Sequence, residues 1–251
     1  MSEREDDGTA DEPQAVTSYG VAEDGVALIR LERPQARNAI NTQMLGELLE
    51  HLAVARGDDA VRVLVISSSD HMGLSAGADV REQLDHDAHV RRMEMFSDLY
   101  DTIVAFPKPT VAACHGDVVG GGAEISIACD LRVGGSNLRM RFPGAALGMP
   151  VGPARLVTLC GLAAAKYLLL TSRTVGPDEA LRLGLVNRVA PAAATEESAL
   201  ALAASVAAHP PEAVARLKRM LHEWDDIEGR SAAEGIGQVE HVRAAADLPF
   251  D

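Results

Sequence analysis

The sequence predicts an α/β protein with a helical final third. Three observations point there: β-branched apolar runs of buried-strand length alternate with segments of helical periodicity, glycine and proline punctuate the joins, and the strand signal fades from about Pro153 onward. With 251 residues, 47% of them hydrophobic, the chain is long enough to bury a full core.

Taken in order, residues 1–15 hold too little apolar material to pack and read as a disordered acidic tail. Structure is expected from Val16. VALIRLERP alternates and then breaks at Pro34, as a strand entering a turn does. NTQMLGELLEHLAVAR sets Met44, Leu45, Leu48, Leu49 and Leu52 at helical spacing, with Asn41 or Thr42 as N-cap. VRVLVIS (61–67) and TVAAC (110–114) are buried-strand runs, the second introduced by Pro107 and Pro109. ARLVTLCGLAAAKYLLL, GPDEALRLGLV and the alanine-rich segment 195–221 all fit helices. The expected organisation is a tail (1–15), a core (16–195) and a C-terminal helical region (196–251).

Charge and composition exclude several function classes. A net charge of −14 repels nucleic acid and anionic membrane surfaces, so neither is expected as a partner. No apolar run is expected to reach bilayer length, and MSEREDDGTADEPQ is acidic where a leader would be basic and then apolar. A cytoplasmic protein is the resulting expectation. Cys114, Cys129 and Cys160 lack metal-ligand spacing and read as small buried thiols.

Chemistry concentrates in two glycine-rich stretches. In HGDVVGGGAEISIACD (115–130), Gly120 and Gly122 meet the first two positions of a dinucleotide fingerprint, but the third falls on Ile125, and no Gly-Lys-Ser/Thr follows for a P-loop. What remains is a strand, a glycine turn and a helix start with Glu124 in its first turn. Unpaired N–H groups there form an anion site that a developing oxyanion can use. The second stretch, HMGLSAGADV (71–80), contains a literal G-x-S-x-G that would make Ser75 a hydrolase nucleophile. SSDHM separates it from its strand, and His209, His222 and His241 have no distinctive setting, so Ser75 is expected to be a loop residue.

Together, LSAGADV and HGDVVGGGAEISIACDLRV resemble the F-C-A-G-A-D-[ILV] and N-G-x-A-x-G-G-G-x-E-L-x-x-x-C-D segments of the crotonase, or enoyl-CoA hydratase/isomerase, superfamily. LERPQARNAINTQM and GLAAAKYLLLTSRTVGPDEALRLGLVNRV extend the similarity over about residues 16–190. The resemblance implies a crotonase (ClpP/crotonase-like) fold of repeated ββα units in a spiral. It also implies an acyl-CoA substrate, no metal or redox cofactor, and a homotrimer or homohexamer.

By motif position the resemblance implies that Ala78 and Gly121 donate backbone N–H groups to a thioester oxygen, and that Glu124 is the acid/base. Such donors act in a dry site, where losing one costs about 2.7–4 kcal/mol in comparable oxyanion holes. Arg37, Ala76, Asp79, Val80 and Gly144 complete the implied substrate-binding set. One departure bears on the reaction. Relatives place a second glutamate where RFPGAALGMP has Gly144, so hydration is expected to be inefficient, and Gly144→Glu to raise it provided the shortened loop can aim the new side chain at the α-carbon. Slow hydration, double-bond migration, decarboxylation and C–C cleavage remain open. Asp117 and His71 are candidate substitutes for the missing acid, although a solvated role is favoured for each. His86 and His89, three apart on a helix, are expected on a solvated face rather than on a metal. The closing AAADLPFD is expected to lack the basic tail that covers the site in relatives. Two other readings stand beside the enzyme: an acyl-CoA binding protein that has lost catalysis, and the Ser75 hydrolase.

Overall fold

Strands that read as continuous apolar runs form the middle of the molecule, because only a strand covered on both faces can be apolar throughout. The structure, a computed structural model, describes residues 14–245. Most of the expected tail, residues 1–13, lies outside the described residues, as do residues 246–251.

β1 (Thr17–Val21) pairs antiparallel with β2 (Val26–Leu31), and β3 (Val63–Ser68), β5 (Thr110–Cys114), β7 (Leu131–Gly135) and β10 (Arg188–Ala190) extend the sheet in parallel, in the order β1-β2-β3-β5-β7-β10. Every residue of β3 and β5 is buried. A second sheet, β4-β6-β8-β9, is built from β4 (Gly73–Ser75), β6 (Asp117–Val119), β8 (Arg139–Arg141) and β9 (Thr174–Val175). The chain serves both sheets alternately: β3 then β4, β5 then β6, β7 then β8, each pair followed by a helix. These are the α2 (His86–Val104), α3 (Gly121–Ala128) and α4 (Pro153–Thr171) helices. The repeated ββα plan is therefore present. The segment after Cys114, expected to be a simple glycine turn, contains β6 before the turn.

α1 (Thr42–Gly57) starts as expected, with the Asn41 side chain accepting from Met44 N at 3.0 Å. After α5 (Pro177–Arg182), the alanine-rich segment is two helices, α6 (Thr195–Ala207) and α7 (Pro211–Asp225), because Pro210 and Pro211 cannot continue a helix. α6 buries Ala199, Ala203 and Ala207 against Val63, Val65, Val111 and Val133 of the large sheet. α8 (Ile227–Ala244) packs instead across α2 and α4.

One expectation is corrected here. α4 has the length and composition to cross a membrane, with 19 residues and a mean hydropathy of 1.4. Its backbone is broken at Gly161 (φ 76°, ψ 161°), so it is two shorter helices end to end, and its first turn carries the buried Arg155.

Candidate active site

The two glycine-rich stretches meet. The 71–80 stretch is strung against the neighbouring backbone: Ile40 N donates to Gly77 O (2.7 Å) and Asp79 N to Ile40 O (2.9 Å). Asp79 N is used in that pairing and Gly77 N donates to Ser75 Oγ, which leaves Ala78 N–H without a protein acceptor among the described residues. On the other stretch, Gly120 takes φ 49°, a left-handed turn that glycine adopts without strain, and α3 begins at Gly121. Gly121 N is a first-turn helix amide and has no acceptor within its own helix. A Cβ on Gly77 would lie 3.4 Å from Gly121 N, which places the two stretches in contact.

Ala78 and Gly121 both line a cavity of about 900 Å³. One wall comes from α2, through His89, Met93, Phe96 and Tyr100, and another from Pro143–Val151. Gln238 and Val242 of α8 close a third side. Arg33, Arg37, Arg81, Arg92 and Arg141 also line it, so an acidic chain presents a basic cavity wall. Arg37, in the left-handed conformation, both caps the short helical turn Pro34–Ala36 and stands exposed at the cavity.

Glu124 enters from the first turn of α3 and is 1% exposed. Its Oε2 accepts from Arg155 Nη2 (2.9 Å) and Nε (3.3 Å), while Oε1 takes no hydrogen bond among the described residues. Burial pushes the Glu124 carboxyl up to about 7; Arg155 opposes that shift and Glu234 adds to it. Arg155, itself 2% exposed, also donates to Glu234 Oε1 (2.7 Å) and Ser231 Oγ (2.8 Å), and its guanidinium lies 5.0 Å from the centre of the Tyr100 ring. Among the described acids that line the cavity, Glu124 is the one with an oxygen, Oε1, that takes no hydrogen bond from a described residue. The other two lining acids are held: Asp79 by Arg33 and Arg81 N, and Glu82 by Arg92 and Thr42 N.

The remaining sequence candidates separate clearly. Ala76, Asp79, Val80 and Gly144 line the cavity with Arg37. Asp117 lies outside the lining and pairs with Arg139 (3.5 Å). The His71 side chain is 90% exposed and also outside it. Ser75 is a strand residue rather than a loop residue. It is 1% exposed, and its Oγ donates to Asn38 O (2.6 Å) and accepts from Gly77 N (3.1 Å), with no histidine among its partners. The expected solvated histidine face is half right: His86 is exposed, but His89 is buried, lines the cavity and lies 3.4 Å from Arg92 Nη2. No group of three or more metal-ligating side chains occurs among the described residues. Cys114 and Cys129 are buried free thiols and Cys160 is half-buried.

Arg155, Glu234 and Tyr100 escape a motif reading. Arg155 carries a signal nonetheless: it is the lone charge in PARLVTLCGLAAA, and an arginine inside an apolar run needs a buried partner.

The profile of the Enoyl-CoA hydratase/isomerase family matches residues 21–236. The 2,3-dehydroadipyl-CoA hydratase of Escherichia coli (strain K12) is 33% identical over 205 residues, covering 80% of each chain. The mitochondrial enoyl-CoA hydratase domain-containing protein 2 of Mus musculus is 38% identical over 236 residues, 90% of this chain and 78% of its own. Among solved structures, an enoyl-CoA hydratase/isomerase from Xanthobacter autotrophicus Py2 superposes with a TM-score of 0.84 at 26% identity, covering 92% of this chain and 88% of its own.

Proposed function

Because the chain belongs to the enoyl-CoA hydratase/isomerase family, we propose that it binds an acyl-CoA with the thioester oxygen between the N–H groups of Ala78 and Gly121. Glu124 then moves a proton at the carbon next to the thioester. The observation behind this reading is a pair of unengaged backbone amides and one half-engaged, buried carboxyl on the wall of a single cavity. Fixed donors stabilise an enolate oxygen without reorganisation. A carboxyl that titrates near 7 both takes and gives a proton at neutral pH. The arginines of the cavity wall suit the phosphates of CoA; Arg37 and Arg81 are exposed there and have no side-chain partner among the described residues.

The reaction uses one carboxyl rather than two. With Gly144 in place of a second acid and Asp79 and Glu82 taken by arginines, Glu124 serves alone. A one-base proton shuttle, as in double-bond migration, is therefore faster here than addition of water. The test is product analysis by mass spectrometry on a panel of 2-enoyl-, 3-enoyl- and carboxyacyl-CoAs, with Glu124→Gln as the control. Turnover of 3-enoyl-CoA that Glu124→Gln abolishes supports the reading. Tight binding without any turnover would make the chain a binding protein instead.

The same reading includes self-association. α7 sets Leu217, Leu221 and Trp224 on one face at 60%, 61% and 77% exposure, and α4 adds Leu170 at 74%. A lone soluble chain rarely leaves such large side chains clustered in water, so the apolar helices are proposed to meet other copies in a trimer or hexamer.

A further inference from the structure

α8 lies remote in sequence from both glycine-rich stretches, yet it holds the arginine that holds Glu124. Glu234 on α8 accepts from Arg155 Nη2 (2.7 Å), Gly152 N (2.9 Å) and Gln238 Nε2 (2.9 Å) at Oε1, and from Ala154 N (2.6 Å) at Oε2. Two of those donors are backbone amides at the start of α4, the helix that carries Arg155, so Glu234 fixes both the root and the tip of that side chain. Ser231, one turn earlier on α8, takes Arg155 Nη1 and donates to Asp101 Oδ1 of α2 (2.6 Å). The Tyr100 ring covers the guanidinium face. The groups around the Glu124–Arg155 pair are therefore Tyr100 and, through Ser231, Asp101 from α2, and Glu234 from α8. With the pair itself they comprise three carboxyls against one guanidinium.

The geometry also distinguishes the two oxygens of Glu124. Oε2 carries both Arg155 bonds, and Oε1 is left over. Oε1 lies against the backbone of Gly152, where a Cβ would come within 2.6 Å of it. Gly152 also has φ 99°, a conformation that side-chain-bearing residues rarely adopt.

From this we infer that Glu234 and Arg155 are positioning residues for Glu124: Glu234 divides the charge of Arg155 between two carboxylates, pins Oε2 and leaves Oε1 free to exchange the proton of the substrate. The inference rests on the proposed acid/base role of Glu124. It explains why a carboxyl in direct contact with an arginine still titrates high: burial dominates, and the guanidinium that opposes it is shared with a second acid. Were Arg155 devoted to Glu124 alone, the carboxyl would titrate lower than it does.

The test is carboxyl ¹³C NMR titration of Glu124 in the ligand-free protein, its resonance assigned by its loss in Glu124→Gln. Glu234→Gln removes one negative charge and should move the Glu124 midpoint down by about one pH unit or more. Arg155→Met should move it up, and Arg155→Lys should restore much of the difference. In turnover assays the neutral limb of the pH–rate profile should follow the same shifts, with acyl-CoA affinity within a few-fold of wild type. A folded Glu234→Gln protein whose Glu124 midpoint stays where wild type has it overturns the inference. If the midpoints shift as stated but no acyl-CoA is turned over, charge sharing is upheld and it is the proposed function that fails. If Arg155→Met does not fold, Glu234→Gln and Arg155→Lys alone decide the matter.

Discussion

A Cβ placed on Gly144 would lie 2.5 Å from the carbonyl oxygen of Met149 and 3.0 Å from Val151 Cγ1. The short turn that begins at Gly144 is closed by Met149 N donating to Gly144 O at 2.8 Å. The turn folds back on itself so tightly that no side chain fits at its start. Whether Gly144→Glu supplies a second acid depends on the turn being able to carry a side chain there, and the Met149 carbonyl leaves a Cβ no room. Gly144→Glu is expected to lower stability by about 1–3 kcal/mol, as overpacking does, without raising crotonyl-CoA hydration. Thermal unfolding and a hydration assay on the same sample check both halves.

Ser75→Ala is expected to keep turnover within a few-fold of wild type and to cost stability. The buried Oγ serves Asn38 O and Gly77 N, and leaving those groups unpaired costs about 1–3 kcal/mol. A fluorophosphonate probe should not label the protein. Covalent labelling at Ser75 would revive the hydrolase reading.

Glu124 gives stability a specific pH dependence. Its carboxyl is raised in the folded protein to about 7, against an unfolded value of about 4.3. The unfolded chain ionises first as pH rises, so the stabilisation tied to the protonated carboxyl is complete below about pH 4 and is lost progressively up to about pH 7. The wild type should therefore lose stability relative to Glu124→Gln across that window, by an amount on the order of a few kcal/mol. Urea unfolding of both proteins at pH 5 and pH 7.5 measures it. A difference that is flat with pH would remove the raised titration from the account.

The large sheet and its helices are largely legible in the sequence, and the small sheet is not. β3 and β5 announce themselves because strands covered on both faces are apolar throughout. β4, β6 and β8 are three residues each, and the Arg-Met-Arg of β8 alternates too briefly to register. β1, with two exposed residues of five, is likewise indistinct in the sequence. At the site, Glu124, Ala78 and Gly121 follow from local motifs. Arg155 and Glu234 do not, since the contact that unites them spans 79 residues of sequence. His89 illustrates the limit of helical periodicity, which places it on a helix but not on the face that meets the cavity.

The apolar face of α7 gives a prediction about assembly. Leu221→Glu with Trp224→Glu, both on exposed positions, should shift the protein to smaller species in analytical ultracentrifugation while leaving the far-UV circular dichroism unchanged. Wild type sedimenting as a monomer would withdraw the proposal that these helices meet other copies.

The proposed site stands or falls on where the thioester oxygen binds. A crystal structure of Glu124→Gln, which is expected to bind but not turn over substrate, in complex with a 3-enoyl-CoA measures it directly. The account predicts the thioester oxygen within about 2.7–3.1 Å of both Ala78 N and Gly121 N, with the adjacent carbon facing residue 124. A thioester oxygen bound away from both amides, or an acyl chain lying outside the cavity, would contradict it.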